Sequence, residues 1–277
     1  MTLDTARLEG LMREVAELVI LPRFRALGEG DIEEKSKGDF VTVADREAEV
    51  WLTPKLREMV PGSIVVGEEA TAADPGLLER RSESGPVWFV DPIDGTSLFV
   101  EGSDRFAVMV ALAEAGAVRH SAILFPARDE FFAASAGEGA YLTAAGDRQR
   151  LSLTATGPLT ADACGAIYSR HFPESWEEAL ARLTATARYT RPEMCAAREY
   201  TNIARGEKDF VIYHRMLPWD HAPGSLILRE AGGIVRNMQT GEDYRPGHLH
   251  GPHLLAANQA VWDDVRACVI PEDGGNV

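Results

Sequence analysis

The sequence predicts an α/β (α+β) fold, in which helices and sheets pack against one another in layers. Segments with apolar residues at helical spacing occur at both ends of the chain, and short apolar runs typical of strands lie between them. The 277 residues, 45% of them hydrophobic, are enough to bury a large core. No repeat or low-complexity linker interrupts the chain, so we predict a single unit over residues 1–277, with a soft division into 1–150 and 151–277.

Two helices and several strands are predicted in the first half of the chain. Helical spacing of apolar residues extends over residues 4–27 and again over 44–59, although Pro54 is expected to kink the second helix or to start a turn there. Residues 35–39 between them are predicted to form a loop. Short apolar runs predict strands, the last three of them as a meander, at residues 63–67, 87–90, 105–113, 117–125 and 130–134.

The second half is predicted to alternate strands with helices. Helical spacing recurs at residues 174–186, 195–206, 221–232 and 259–269. Short strands are predicted at residues 163–168, 209–213 and 254–257. The glycine-rich stretch 137–141 is interpreted as a turn and not as a nucleotide-binding loop, because no helical pattern follows it.

The charge of the chain limits its partners. A formal net charge of −15 argues against binding to a nucleic-acid backbone, which requires clustered lysine and arginine. A small anionic substrate is still compatible with this charge if something local and positive receives it, and a metal ion is one candidate.

Neither a membrane segment nor a secretion signal is predicted. No run of eighteen apolar residues occurs, and the N-terminal segment lacks the basic start of a signal peptide. Three scattered cysteines, Cys164, Cys195 and Cys268, do not suggest a disulfide framework. We therefore expect a cytoplasmic protein without a membrane partner, in which Cys195 is a small structural residue.

The stretch WFVDPIDGTSLF, residues 88–99, carries the strongest chemical signal. Asp91 follows an apolar run and Asp94 comes three residues later, so two oxygen ligands suited to Mg²⁺ surround one small volume. Pro92 fixes the backbone in a way that can turn the Ile93 carbonyl toward the same point. Gly95 permits close approach, and a helix beginning at Thr96 would offer free N–H groups to a phosphate. Taken alone, the same residues are equally compatible with turn formation and helix capping.

Further carboxylates occur at comparable places. Glu68 and Glu69 follow the apolar run 64–66, Asp220 opens an apolar helical stretch, and Asp45 lies at a helix start. Individually they are better explained as solvated surface acids or helix caps.

Together these motifs resemble the inositol monophosphatase family of Mg²⁺-dependent, lithium-sensitive phosphatases. The resemblance depends on Gly-Glu-Glu at 67–69, Asp-Pro-Ile-Asp-Gly-Thr at 91–96, and Trp-Asp at 219–220 followed by Glu-Ala-Gly-Gly. It spans nearly the whole chain, from Lys35 and Asp45 to Ala-Ala-Asn at 256–258. It implies a layered αβαβα sandwich, frequent homodimers, and hydrolysis of small phosphate monoesters with two or three Mg²⁺ ions.

The resemblance also implies roles for individual residues. The first metal ion would be held by Glu68, Asp91 and the Ile93 carbonyl, and the second by Asp91, Asp94 and Asp220. Thr96 and Asp45 would orient the nucleophilic water, with Glu69 assisting. The substrate-binding residues implied by the resemblance are Ile93, Asp94, Gly95, Thr96, Arg191, Ala196 and Asp220.

Some residues depart from the family pattern. Leu98 stands where most relatives have Asn, and Pro223, where most have a small residue, is expected to lie in a helix's first turn. Inositol-specific relatives have an acid shortly before Trp-Asp, whereas residues 213–218 contain none. Inositol phosphate is therefore one candidate substrate beside histidinol phosphate, a 3′-phosphoadenosine nucleotide and a sugar phosphate. A non-catalytic, ligand-binding relative is the alternative, and residues 248–253, with three histidines, are assigned to a loop.

Overall fold

The computed structural model describes residues 3–153, 159 and 162–270, which form five alternating layers of helix and sheet. Two helices cover one face of a seven-stranded sheet, two more lie between that sheet and a five-stranded sheet, and a last pair covers the outer face. The predicted α/β sandwich is confirmed.

The first outer layer consists of α1 (Thr5–Val15) and α2 (Val43–Met59). Between them lies a small hairpin of β1 (Ile32–Ser36) and β2 (Asp39–Thr42), where a loop was expected. The buried side of α2, which includes Ala48, Leu52 and Leu56, packs in the core beneath the large sheet.

The seven-stranded sheet has its strands in chain order, and only its first pair, β3 and β4, is parallel. Its strands are β3 (Ile64–Gly67), β4 (Val87–Asp94), β5 (Ala107–Glu114), β6 (Ala117–Phe125), β7 (Glu130–Ser135), β8 (Gly139–Ala144) and β9 (Asp147–Leu151). Two short helices, α3 (Glu68–Ala73) and α4 (Thr96–Val100), directly follow β3 and the end of β4. The acidic motifs thus lie where strands give way to helices.

The second half supplies the other three layers. The five-stranded sheet has the order β11-β10-β12-β14-β13. Its strands are β10 (Cys164–Ile167), β11 (Arg188–Tyr189), β12 (Phe210–Arg215), β13 (Ile234–Asn237) and β14 (His250–Ala256). The helices of this half are α5 (Glu177–Thr186), α6 (Ala196–Ala204), α7 (Pro218–Glu230) and α8 (Gln259–Val269). One buried cluster joins both sheets through α6 and α7, so the core crosses the soft division near residue 150.

Pro54 does not start a turn, and the expected position of Pro223 was wrong. The helix α2 continues through Pro54, because the carbonyl that this proline leaves free belongs to Val50, on the exposed side of the helix where water can reach it. Pro223 lies in the second turn of α7 and not the first, because the helix begins at Pro218, three residues earlier than predicted.

Other observed element boundaries also differ from the predicted ones. The predicted helix 4–27 ends its α-helical part at Val15 and continues as a π-helical turn, Ala16–Ile20, which stops there because Pro22 disfavours helix in the residue before it. The stretch 137–141 is a turn only up to Gly139, where β8 begins. The strands β8, β9, β11 and β13 were not predicted at all. Among the described residues, no helix is both long and apolar enough to cross a membrane.

Candidate active site

A β-bulge in β4 brings Asp91 and Asp94 to the same side. Asp91 pairs with Met109 of β5, and Asp94 pairs with Ala107. Between these two pairs β4 advances by three residues and β5 by two, so β4 contains one extra residue. In a regular strand, residues three apart point to opposite faces, and one extra residue restores them to a common face. Inside the bulge, the Ile93 N–H donates to Asp91 Oδ1 over 3.0 Å. The strand therefore continues to Asp94, whereas the sequence had predicted that it ends at residue 90.

Three carboxylates from three elements converge on one point. Glu68 at the start of α3, Asp91 in β4 and Asp220 in α7 offer oxygen atoms that all lie within 4.8 Å of one another. Desolvation and repulsion within the group raise the pKa of Glu68 and of Asp91 well above the ordinary range. Burial, with repulsion from Asp94, raises the pKa of Asp220 to about 7. A cluster of this spacing, built from hard oxygen ligands, can hold a divalent metal ion.

Lys35 partly neutralises this acidic cluster. Lys35 is next to the turn of the β1–β2 hairpin, and its ammonium group lies 3.2 Å from Glu68 Oε1 and 2.8 Å from Glu69 Oε1. The two carboxylates raise the pKa of Lys35 against the opposing effect of its burial, so the amine is charged at neutral pH. Lys35 thus holds the hairpin against the first turn of α3.

Asp94 lies outside the group of three, and its carboxylate is directed to the start of α6. Its oxygens accept hydrogen bonds from the N–H groups of Ala196 (3.1 Å) and Ala197 (2.6 Å) and from Cys195 Sγ (3.1 Å). Burial raises the pKa of Asp94 and these donors oppose that rise, because they favour the charged form. Asp94 therefore ties the bulge of the first half to a helix of the second half.

Thr96 and Asp45 meet across the chain. Thr96 Oγ1 lies 3.1 Å from Asp45 Oδ1 and 3.0 Å from the Ile93 carbonyl. Gly95 precedes it with a φ of 83°, a left-handed conformation that turns the chain from β4 into α4. The other oxygen of Asp45 accepts from the backbone N–H and the hydroxyl of Thr42, which forms a capping box for α2. Burial raises the pKa of Asp45 to about 6.

Glu49 supports this arrangement from below. It lies one turn after Asp45 on α2, and its two oxygens accept from the N–H groups of Glu69 and Ala70, each over 2.8 Å. Burial raises the pKa of Glu49 to about 7. A Cβ on Gly67 would lie only 2.3 Å from the Glu49 carboxyl carbon, so this contact requires glycine at position 67.

A second buried network supports the other wall of the site. Glu199 on α6 forms a fully buried ion pair with Lys208. The other oxygen of Glu199 accepts from the Tyr168 hydroxyl (3.1 Å) and from the Glu193 N–H (2.9 Å), and the same hydroxyl receives the Met194 N–H over 3.2 Å. The network fixes the backbone that leads into α6.

These side chains surround a pocket of about 260 Å³, large enough for a small molecule. It is lined from the first half by Asp91, Ile93, Asp94, Gly95 and Thr96, together with Glu68 and the β1–β2 hairpin. The second half contributes Tyr168, Arg170, His171, Met194, Cys195, Ala196, Tyr213, His214, Arg215, Asp220 and His221. Asp45, Glu69 and Arg191 do not line it. Arg191 is exposed in the segment before α6, and its role stays a prediction.

The chain matches a known protein family. A family model of the inositol monophosphatase family matches residues 5–272. The chain belongs to the inositol monophosphatase family.

Similarity to individual family members extends over most of the chain. Inositol-1-monophosphatase of Bacillus subtilis is 33% identical over 235 residues, which cover 83% of each chain. Nus factor SuhB of Pseudomonas aeruginosa is 30% identical over 272 residues, 94% of this chain and 93% of the relative. Among solved structures, an IMPase of Thermotoga maritima superposes with a TM-score of 0.77 at 25% identity, covering 95% of this chain and 96% of that one.

Sequence reasoning missed the contacts of three side chains that contribute to this site of an inositol monophosphatase family member, those of Glu49, Lys35 and Cys195. Asp45, Ala48, Glu49 and Leu52 share one face of α2, a spacing that signals a buried carboxylate at position 49. Lys35 lies in the charged run Glu33-Glu34-Lys35, which gave no local sign of a partner. The Sγ donor of Cys195 was not detectable, because its acceptor lies 101 residues away.

Proposed function

We propose that this chain is a metal-dependent phosphatase that hydrolyses small phosphate monoesters. The observation that carries the proposal is the convergence of Glu68, Asp91 and Asp220 within 4.8 Å in a pocket of small-molecule size. Crowding three carboxylates in a partly desolvated pocket is unfavourable without a cation, which supports a metal site there.

The residues fit Mg²⁺ ions in the pattern that the family resemblance implies. Glu68, Asp91 and the Ile93 carbonyl would hold one ion, and Asp91, Asp94 and Asp220 a second. Asp94 already accepts three hydrogen bonds, but a carboxylate has about four acceptor sites, so one direction stays available. Bound ions would neutralise the phosphate and the leaving oxygen and lower the pKa of the attacking water.

Thr96 and Asp45 act on the proton of the attacking water. Thr96 Oγ1 has one proton, and when it donates that proton to Asp45 its lone pairs are free to accept from water. With a pKa of about 6, Asp45 is mostly ionised at neutral pH and can receive the proton that Thr96 passes on. Lys35 holds the Glu69 carboxylate close to Thr96 and Asp45, and Glu69 assists them through a further water molecule.

The first turns of α4 and α6 would position the substrate. No side chain caps α4, so the N–H groups of Gly95 and Thr96 can face the phosphate. Asp220 and Ala196 line the pocket beside them and would contact the leaving group. Phosphoryl transfer needs little covalent chemistry from the protein, so this positioning supplies most of the catalysis.

The test is a screen for phosphate release with and without Mg²⁺. The panel contains inositol 1-phosphate, histidinol phosphate, adenosine 3′,5′-bisphosphate and sugar phosphates, with excess EDTA and added Li⁺ as inhibitory conditions. Asp220→Asn should abolish release, and the exposed Asp162→Asn should preserve it as a matched control. Undiminished release in EDTA, or from Asp220→Asn, contradicts the proposal.

The alternative is a ligand-binding protein without catalysis, and it predicts a different result. Such a protein would bind Mg²⁺ or phosphate in calorimetry and release no phosphate from any compound of the panel. The shared hydroxyl of Thr96 and the raised pKa of Asp45 favour the enzyme, because binding alone requires neither.

A further inference from the structure

Met194 has a backbone conformation that is unusual for its residue type. Its φ is 58°, in the left-handed region that favours glycine and that is unfavourable for a bulky side chain. Among the described residues, four other non-glycine residues have a positive φ, and they lie in turns: Arg25, Ala115, Asp129 and Ala145. Met194 instead lies in the segment that leads into α6, and of these five described residues it alone lines the pocket.

Neighbouring contacts hold this backbone conformation in place. The Met194 N–H donates to the Tyr168 hydroxyl over 3.2 Å, and the preceding N–H, that of Glu193, donates to Glu199 over 2.9 Å. The Glu193 carboxylate also lies 3.3 Å from the Arg105 guanidinium. A left-handed non-glycine residue persists only where its surroundings determine the conformation, and such residues cluster at ligand sites. The fold therefore imposes the backbone at position 194, but it does not explain the methionine side chain.

The Met194 side chain contributes little to the hydrophobic core. It is 57% exposed and belongs to none of the three clusters of buried residues. A methionine stabilises a fold mainly by removing apolar surface from water, and most of this surface stays in water here. A single exposed apolar side chain is ordinary on a protein surface. An exposed one with left-handed backbone at the edge of the pocket is better explained by a ligand that covers it.

Other apolar side chains line the same pocket from different elements. Phe40 comes from β2 of the hairpin, and Tyr168 follows β10. The Tyr168 ring stacks on Tyr213 at a centroid separation of 4.3 Å, and both Phe40 and Tyr168 keep part of their surface accessible. Residues 213–218 contain no acid that could receive sugar hydroxyls. Beside its polar groups, the pocket thus offers apolar surface, to which Met194 adds a thioether.

We propose, on the basis of the phosphatase function above, that Met194 determines specificity by packing against an apolar face of the leaving group. The preferred substrates are then phosphate monoesters of alcohols with a hydrocarbon ring or chain, and not polyols with a hydroxyl group on every carbon. Methionine suits this role because its unbranched thioether adapts to apolar surfaces of different shape. The contact removes from water the surface that the free protein leaves exposed.

Cyclohexyl phosphate and inositol 1-phosphate form a matched pair of substrates for the test. Each has a six-membered carbon ring joined to the phosphate that is cleaved, and inositol 1-phosphate differs by the hydroxyl groups on the other ring carbons. The quantity measured is the ratio of kcat/KM for cyclohexyl phosphate to kcat/KM for inositol 1-phosphate. Comparison of this ratio between wild type and variants cancels the difference in intrinsic reactivity between the two esters.

Met194→Gln replaces the thioether by an amide of similar length at the same backbone position. The ratio should fall about tenfold, as for the loss of an apolar contact with a substrate, mainly through a higher KM for cyclohexyl phosphate. Activity toward inositol 1-phosphate should change by less than about twofold. Met194→Leu keeps the apolar surface and should keep most of the ratio. Leu18→Ala, which shortens a similarly exposed side chain in the π-helical turn, is the control; an unchanged ratio in Met194→Gln overturns the proposal.

Met194→Gly separates ligand binding from folding. Glycine adopts a φ of 58° without steric cost, which offsets its greater freedom in the unfolded chain, so the Tm should equal or exceed that of the wild type. The substrate ratio should nevertheless fall as it does in Met194→Gln, because both variants lack the apolar contact. A clear fall in Tm would show that the side chain stabilises the fold, and would overturn its assignment to the ligand.

A binding measurement separates this proposal from the phosphatase function on which it rests. Calorimetric titration of cyclohexyl phosphate, with Ca²⁺ in place of Mg²⁺, reports the apolar contact without turnover. Burial of apolar surface should make the heat-capacity change of binding more negative for wild type than for Met194→Gln. If neither ester is hydrolysed but this difference is found, the phosphatase proposal fails and the Met194 contact stands. If the esters are hydrolysed but wild type and Met194→Gln bind cyclohexyl phosphate alike, the phosphatase proposal stands and the contact is overturned.

Discussion

The hydroxyl of Thr96 lies within hydrogen-bonding distance of two acceptors, Asp45 Oδ1 at 3.1 Å and the Ile93 carbonyl at 3.0 Å. A hydroxyl has one proton, so it can satisfy only one acceptor fully at a time. When a cation draws on the Ile93 carbonyl, the proton is left to Asp45. The contact between Thr96 and Asp45 is thus expected to strengthen when the site binds its metal ions.

Replacement of Thr96 tests this contact. Thr96→Ala should lower kcat by about a hundredfold or more, because the variant lacks the hydroxyl that handles the water proton in the proposed mechanism. Thr96→Ser keeps the hydroxyl and should keep most of the activity. Steady-state kinetics of both variants at saturating Mg²⁺ provide the comparison. Equal kcat for the two variants would remove Thr96 from the mechanism and leave it a local structural role.

Asp91→Asn is expected to separate activity from stability. Phosphate release should fall by about a thousandfold or more, equivalent to roughly 4 kcal/mol on the barrier, because one carboxylate of the cluster is lost. The Tm in EDTA should stay the same or rise, since Asn keeps the oxygen that accepts from Ile93 and removes a charge from among Glu68, Asp94 and Asp220. Calorimetry with Asp162→Asn as the control checks this; a clear fall in Tm would mean that Asp91 is mainly structural.

Lys35→Gln should destabilise the protein mainly when metal is absent. The ammonium group compensates Glu68 and Glu69, and its loss is expected to reduce the free energy of unfolding by about 1–2 kcal/mol in EDTA. Saturating Mg²⁺ should shrink the difference, because the ions supply positive charge to the same carboxylates. Lys37→Gln, at an exposed neighbouring position, is the control for thermal unfolding. An equal loss in both conditions would show that Lys35 acts independently of the metal site.

Breaking the buried ion pair of Glu199 should loosen the wall of the pocket. Lys208→Met leaves the Glu199 charge buried without its partner and is expected to cost about 3–5 kcal/mol of stability. Adding Glu199→Gln should recover part of that loss, because no unpaired charge remains. Chemical denaturation of the two single variants and the double variant gives the coupling. Strictly additive losses would argue that the two side chains do not depend on each other.

The buried His253 is expected to make the stability of the protein depend on pH. Burial lowers its pKa to about 4, and its Nε2 has no partner among the described residues. The unfolded chain takes up the proton near pH 6.5 and the folded chain resists until about pH 4, so this residue's contribution to stability falls as pH decreases through that window. Compared with His253→Gln, the wild type should lose about 2 kcal/mol more between pH 7 and pH 5. The exposed His250→Gln is the control, and parallel pH curves for wild type and His253→Gln would contradict this origin.

The sequence was informative wherever the signal was local. Apolar spacing located α2, α8 and most strands, and the acidic motifs pointed to Glu68, Asp91 and Asp220, which the structure brings together. The sequence could not predict hydrogen-bond partners that lie far apart along the chain. The hydrogen bond from the Ala197 N–H to Asp94 joins residues 103 positions apart, and no sequence pattern near either residue predicts it.

The strand β9 shows a physical reason why a strand can be missed in the sequence. The strand β9 reads Asp-Arg-Gln-Arg-Leu, with four of five residues exposed, because it is an edge strand whose outer side faces solvent. Its place in the sheet comes from backbone pairing with β8 and not from burial of its side chains. Hydrophobic periodicity therefore cannot detect it.

The hydrogen bonds from Ala196 and Ala197 to Asp94 have a consequence for synthesis of the protein. As the chain leaves the ribosome, Asp94 is made about a hundred residues before its partners on α6, and Asp220 follows later still. The nascent first half consequently carries closely spaced acids that lack both α6 and the third carboxylate. Competence for catalysis is thus a late event in biogenesis, and a chain that stops before residue 220 should fold part of its first sheet and remain inactive.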